Sequence, residues 1–182
     1  MNGRGLLVIA IILMCVGFGG VIHWVATGQG ETSAKVASPP PSVTMPTVST
    51  KPSLTSAEQT YLTYIEGHAD GMSYALGELG RLLQDPQIFD DDWKIEVVIY
   101  MALIQFGYEE AQAADCPSSM SHIHSKYIQG LSHLNTAMDL IAEGIDYLDV
   151  DSLNRATTEM TTGGVLIEEA ARLKTEFVLA HK

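Results

Sequence analysis

Residues 56–84 read SAEQTYLTYIEGHADGMSYALGELGRLLQ, and their spacing decides the fold class. Leu62, Ile65, Ala69, Met72, Leu76, Leu79 and Leu83 recur in steps of three and four. That period places all seven on one face of an α-helix and never on one face of a strand. Ser56 with Gln59 three residues on reads as a capping box at the helix start. Asp85-Pro86 ends the segment, because the residue before a proline is pushed out of the helical region.

The same reasoning extends toward the C-terminus. Asp90-Asp91-Asp92 marks a second helix start, with carboxylates at the positive end of the helix dipole. This helix runs to about Ala114, where Asp115-Cys116-Pro117 breaks it and sets Pro117 at the first position of a third helix. The third stripe is Met120, His124, Tyr127, Leu131, Leu134, Met138, Ile141, Ile145 and Leu148. Asp149-Val150-Asp151 turns the chain, and Asp151 is the expected cap of a fourth helix carrying Leu153, Ala156, Met160, Gly163, Ile167, Ala170 and Phe177. Short connections between long helices imply antiparallel neighbours. The expected fold is all-α: an up-down four-helix bundle over residues 56–182, following an N-terminal single transmembrane helix.

That N-terminal segment is the run Leu6 to Val25, which has no charged residue and matches the ~30 Å apolar thickness of a bilayer at ~1.5 Å per residue. The expected organisation is a short tail (1–5), a membrane helix acting as signal anchor (6–26), a Pro/Ser/Thr-rich linker (27–55) and the helical domain (56–182). Arg4 and the free amine on one side favour a cytoplasmic N-terminus, with the domain outside the cell membrane. The alternative is a secreted domain released by signal cleavage near Thr32-Ser33-Ala34. Pro39-Pro40-Pro41, Pro46 and Pro52 give the linker a partly polyproline character, with a reach of about 30 Å.

Charge narrows the partners. The chain carries −12, and of its 22 acids only Glu31 precedes Ala57, whereas Arg4, Lys35 and Lys51 among its ten bases do. The helical part is therefore more acidic than the whole, which excludes a basic stripe for nucleic acid. Cys116 is the one cysteine in the domain, so no disulfide can close within it and a thiolate-pair metal site is ruled out. No Glu is followed by His three residues on, as a carboxylate di-metal site in a bundle requires. His122 and His133 share a face but lie about 16 Å apart along a helix. Neither a serine-nucleophile elbow nor a phosphate loop is present. No catalytic residue, cofactor or metal is assigned on these grounds, and an enzyme is not expected. His124 falls in a core stripe and is the expected pH-sensitive core residue. Gly163-Gly164 reads as a kink or close helix crossing.

Two surfaces ask for company. The second helix carries one stripe of Trp93, Val97, Tyr100, Ile104 and Tyr108, and another of Ile95, Ile99, Ala102 and Phe106. A helix apolar all round is expected to be buried all round, by a second copy, another subunit, a ligand or the chain's own Ile88-Phe89 loop. On the first helix Tyr61, Tyr64, Gly67, Gly71 and Tyr74 lie opposite the core stripe, where two glycines would admit another backbone. The partner-contact candidates are therefore Ile95, Ile99, Ala102 and Phe106 with Tyr64, Gly67, Gly71 and Tyr74. The expected role is an extracytoplasmic binding module, an accessory subunit of a membrane complex, with a protein partner or a second copy bound. The alternatives are a sensor or an apolar-ligand or metal-binding domain.

Overall fold

The computed structural model describes residues 53–182. The tail, the expected membrane helix at 6–26 and the linker up to Pro52 lie outside the described residues. Among the described residues the chain is all-helical, with no strand. Its helices are α1 (Ser56–Gln84), α2 (Asp91–Ala113), α3 (Ser121–Asp146) and α4 (Val150–Ala180), with a 3-10 turn at Ser118–Met120. None of them is long and apolar enough to cross a membrane.

The helix boundaries correct the sequence reading at four places. Thr55, not Ser56, caps α1. Its extended backbone lets the hydroxyl accept from the Glu58 amide at 3.3 Å, while the Glu58 carboxylate accepts from the Thr55 amide at 2.7 Å. A carboxylate is the stronger acceptor, and the Gln59 amide turns instead to the Leu54 carbonyl. Pro117 does not open α3. It precedes the 3-10 turn, which the Met120 amide closes on the Pro117 carbonyl at 2.8 Å. The Ser119 hydroxyl donates to Glu58 at 2.6 Å and so ties this turn to the start of α1. Asp149 caps α4 in place of Asp151, accepting from the Asp151 amide at 3.1 Å and the Ser152 hydroxyl at 2.7 Å. Leu148 is not the last member of the α3 stripe. The Asp149 amide reaches back to the Gly144 carbonyl at 3.0 Å, which forces Leu148 to a φ of 54° and out of the core.

The stripes themselves are buried as their spacing requires. Leu79, Leu83, Ile104, Leu131, Leu134, Met138, Ile141 and Leu153 are sealed in one core to which all four helices contribute. Contacts of α1 with α2, and of α3 with α4, run in opposite order along the chain. The Trp93 indole donates to the Leu82 carbonyl at 3.0 Å, and further along His68 meets Gly107. Gln105 of α2 reaches Asp139 of α3 at 2.9 Å. Gly144 lies under Leu153, and Gly130 under Gly163. The last contact is the close crossing that Gly163-Gly164 foreshadowed: a Cβ on Gly163 would stand 2.7 Å from the Gly130 carbonyl oxygen.

Candidate binding groove between the first two helices

Gly67 and Gly71 are one helical turn apart on the exposed side of α1, and a Cβ on either would meet nothing within 4 Å. They form the floor of a groove of about 580 Å³. Tyr64 and Tyr74 bound it on α1, and Leu103, Phe106 and Glu110 bound it on α2. Tyr74 leans edge-on against Tyr100, with ring centroids 6.3 Å apart. A volume of this size is that of an ordinary ligand or side-chain cluster site, and its lining is mostly apolar.

His68 holds the two walls at their spacing. Its Nε2 is 2.8 Å from the Gly107 carbonyl oxygen, which can only accept, so Nε2 carries the proton. Nδ1 then accepts from the Tyr127 hydroxyl at 2.7 Å. One ring thus links α1, α2 and α3. Burial pushes the Tyr127 phenol well above its ordinary pKa, so it remains a proton donor in this bond. Gly107 has no side chain to push α2 away, and the Met72 thioether occupies the space a Cβ would need.

One turn toward the N-terminus a second cleft, of about 620 Å³, is lined by Ser56, Thr60, Tyr61, Asp115 and Pro117. Tyr64 separates the two. Its hydroxyl is buried and makes no hydrogen bond among the described residues. Burial raises the Tyr64 pKa, and Glu110 raises it further. Tyr61 was expected on the outer face beside Tyr64 but is buried, at 3 % exposure. It stands four residues before Ile65, on the core side, and its hydroxyl lies 2.7 Å from Nδ1 of His124. Next to it, burial pushes the Cys116 thiol above its ordinary pKa, with Asp115 adding to the effect, so this thiol is not an activated nucleophile.

The remaining candidates sit on α2 beyond the groove wall. Ile95 is 57 % exposed, Ile99 51 % and Phe106 63 %, and Ala102 is exposed with them. Val98 and Leu103, which the sequence reading left out, widen the same face. Within the described residues the chain's own helices therefore do not bury α2 all round. The Ile88-Phe89 loop does not cover this face: Ile88 packs on the core and Phe89 is itself 72 % exposed. The two surfaces treated separately in the sequence meet at Phe106, which belongs to both the groove and the apolar stripe of α2. His68, Met72, Gly107 and Glu110 were also missed. Nothing in their local sequence distinguishes them from ordinary helix residues, because their role depends on where α2 lands.

Among the described residues no three of His, Cys, Asp and Glu converge in a way that could hold a metal ion. His133 is bonded to Glu159 across the α3–α4 contact, and His122 is exposed. No protein-family model matches the chain, and neither does any curated protein or solved structure.

His124 yields a pH prediction. Burial holds its pKa below the ordinary 6.5, so the folded state prefers the neutral ring. Above 6.5 the ring is neutral in both states and stability is complete. As pH falls through that value, the unfolded chain takes up a proton that the folded chain resists, and stability is lost. Glu58 and Asp149 behave otherwise. Hydrogen bonds lower both pKa values from 4.5 and 3.8, so their stabilisation is lost only at more acid pH. His124→Leu is therefore expected to shrink the change in urea midpoint between about pH 7.5 and pH 5.5, leaving the limb below about pH 4.5 in place. An unchanged difference between pH 7.5 and 5.5 would assign that limb to other groups.

Proposed function

We propose that this chain is a membrane-anchored, extracytoplasmic binding module, working as an accessory subunit of a membrane complex. In this reading residues 6–26 hold the chain in the cell membrane and residues 27–55 act as a stalk. The four helices close as an antiparallel up-down bundle that presents one contact surface. The reversed contact order of α1 with α2 and of α3 with α4 supports that arrangement. Lys174 of α4 paired with Glu66 of α1 at 2.8 Å supports its closure.

The single observation that carries the binding role is the continuous apolar surface from Ile95 to the α1–α2 groove. Isolated exposed hydrophobic side chains are ordinary. Five large ones on one helix, Ile95, Val98, Ile99, Leu103 and Phe106, form a patch of the kind that marks interaction sites. Burying it is worth ~25 cal/mol per Å² before the cost of association is subtracted. We assign no catalytic role to the chain.

Cysteine accessibility tests this. In a Cys15→Ala, Cys116→Ala background, Ile99→Cys and Phe106→Cys are introduced singly into the full chain, with Thr158→Cys on α4 as control. Maleimide labelling at positions 99 and 106 is expected to be at least about tenfold slower in the native membrane than in the purified protein, as for residues inside a contact that excludes water. Position 158 should label alike in both. Equal rates at 99 and 106 in the two settings would remove the binding role.

A further inference from the structure

The character of the partner follows from how the apolar surface is framed. At 100° per residue, Asp92, Ile99 and Glu110 fall within about 20° of one line along α2. Asp91 and Asp92 stand beyond one end of the apolar stripe and Glu109 and Glu110 beyond the other, and all four are exposed. Glu96 flanks the stripe on the groove side, where it acts on Arg81. The nearby bases are already engaged: Lys94 pairs with Asp91 at 3.4 Å and Arg81 with Glu78 at 2.9 Å. An apolar strip with carboxylates at both ends is thus the exposed chemistry of this face.

That pattern opposes a second copy as the natural occupant. Two α2 faces laid together place acid against acid whether the helices run parallel or antiparallel. An anionic lipid surface is repelled for the same reason. The open floor over Gly67 and Gly71 selects the shape of the occupant. A helix can settle its backbone there, between the tyrosines of α1 and the Phe106 wall of α2, and lay its apolar side chains on Ile95 and Ile99.

We propose, building on the binding role above, that the occupant is a helix of another protein, apolar along one face and bearing Lys or Arg at both ends of that face. The basic ends are about 27 Å apart, the rise of the 18 residues from Asp92 to Glu110.

The test uses the full chain in phosphatidylcholine nanodiscs, with empty nanodiscs subtracted. Three labelled 20-residue peptides share one Leu/Ala face and carry paired Arg, Gln or Glu at both ends. The Arg peptide is expected to bind at least about tenfold tighter than the Glu peptide, with the Gln peptide between them, and to weaken as salt rises. Glu109→Gln with Glu110→Gln should narrow the gap to below about threefold, because charge pairing at the α2 end then disappears. Gly71→Trp, which fills open space, and Phe106→Ser should each abolish binding with the circular dichroism spectrum unchanged. Equal binding of the Arg and Glu peptides, still lost in Phe106→Ser, overturns the basic partner and leaves the binding role intact. Binding that survives both Gly71→Trp and Phe106→Ser overturns the groove as its seat. No peptide binding, with a concentration-dependent dimer lost in Phe106→Ser, overturns the inference in favour of a second copy. The cysteine experiment reads the binding role independently in every case.

Discussion

Gly163→Ala is expected to cost about 3 kcal/mol of folding stability, since overpacking that only backbone movement can relieve lies at the upper end of its usual range. The new methyl would sit 2.7 Å from the Gly130 carbonyl oxygen and 3.2 Å from Leu134, which is itself fully buried. A flexible side-chain tip could turn aside, but a carbonyl inside a helix cannot. Relief requires α3 and α4 to separate, which loosens contacts along their whole length. Gly67→Ala supplies the contrast. The same methyl there meets nothing within 4 Å, so it should add about 0.5–1 kcal/mol by restricting the unfolded chain. Urea unfolding of both variants, followed by circular dichroism, reads the two signs side by side. A neutral Gly163→Ala would mean that α3 and α4 cross less closely than described.

His68→Leu is the second large effect. Leucine cannot donate to the Gly107 carbonyl, which keeps its helical bond, nor accept from Tyr127, whose buried hydroxyl is left without a partner. An orphaned buried hydroxyl costs about 1–3 kcal/mol and the lost bond to the Gly107 carbonyl about 0.5–1.5 kcal/mol more, so the variant should lose about 2–4 kcal/mol. The loss has a signature that mere packing damage lacks. Adding Tyr127→Phe to His68→Leu removes that orphan, so the double variant should be more stable than the sum of the single losses implies. Strict additivity would show that the ring and the phenol are not bonded. Because His68 also sets the distance between the groove walls, His68→Leu should weaken the Arg peptide even where the variant remains folded.

The elements of the fold were legible because their signals are local. Leu62 to Leu83 repeats on one helical face, Asp85-Pro86 and Asp115-Cys116-Pro117 interrupt, and Asp90 caps. Each of these acts over one or two turns. The errors were local too. Thr55 and Ser56 are adjacent hydroxyl residues, each with an acceptor three residues on, and only the carboxylate of Glu58 and its tie to Ser119 decide between them. Tyr61 was misplaced because a boundary residue 100° from Leu62 can be assigned to either side of the core stripe. Of the covers the sequence allowed for α2, the chain's own Ile88-Phe89 loop is the one the structure rules out. Hydrophobicity records how much apolar surface a helix carries, without recording which neighbour meets it.

By itself the sequence determined that residues 56–182 are helical, that α1, α3 and α4 each have one core stripe, and that α1 and α2 both carry surplus apolar surface. These follow from a period of 3.6 residues and from caps and breakers that act within a turn. Only the tertiary structure decided that the two surplus surfaces meet, at Phe106 on the wall of one groove. That depends on the rotation and depth of α2 against α1, which are set by Gly107 over Met72 and by the His68 bond to its carbonyl. Residues 39 positions apart must meet to define that geometry, and no local spacing encodes such a meeting.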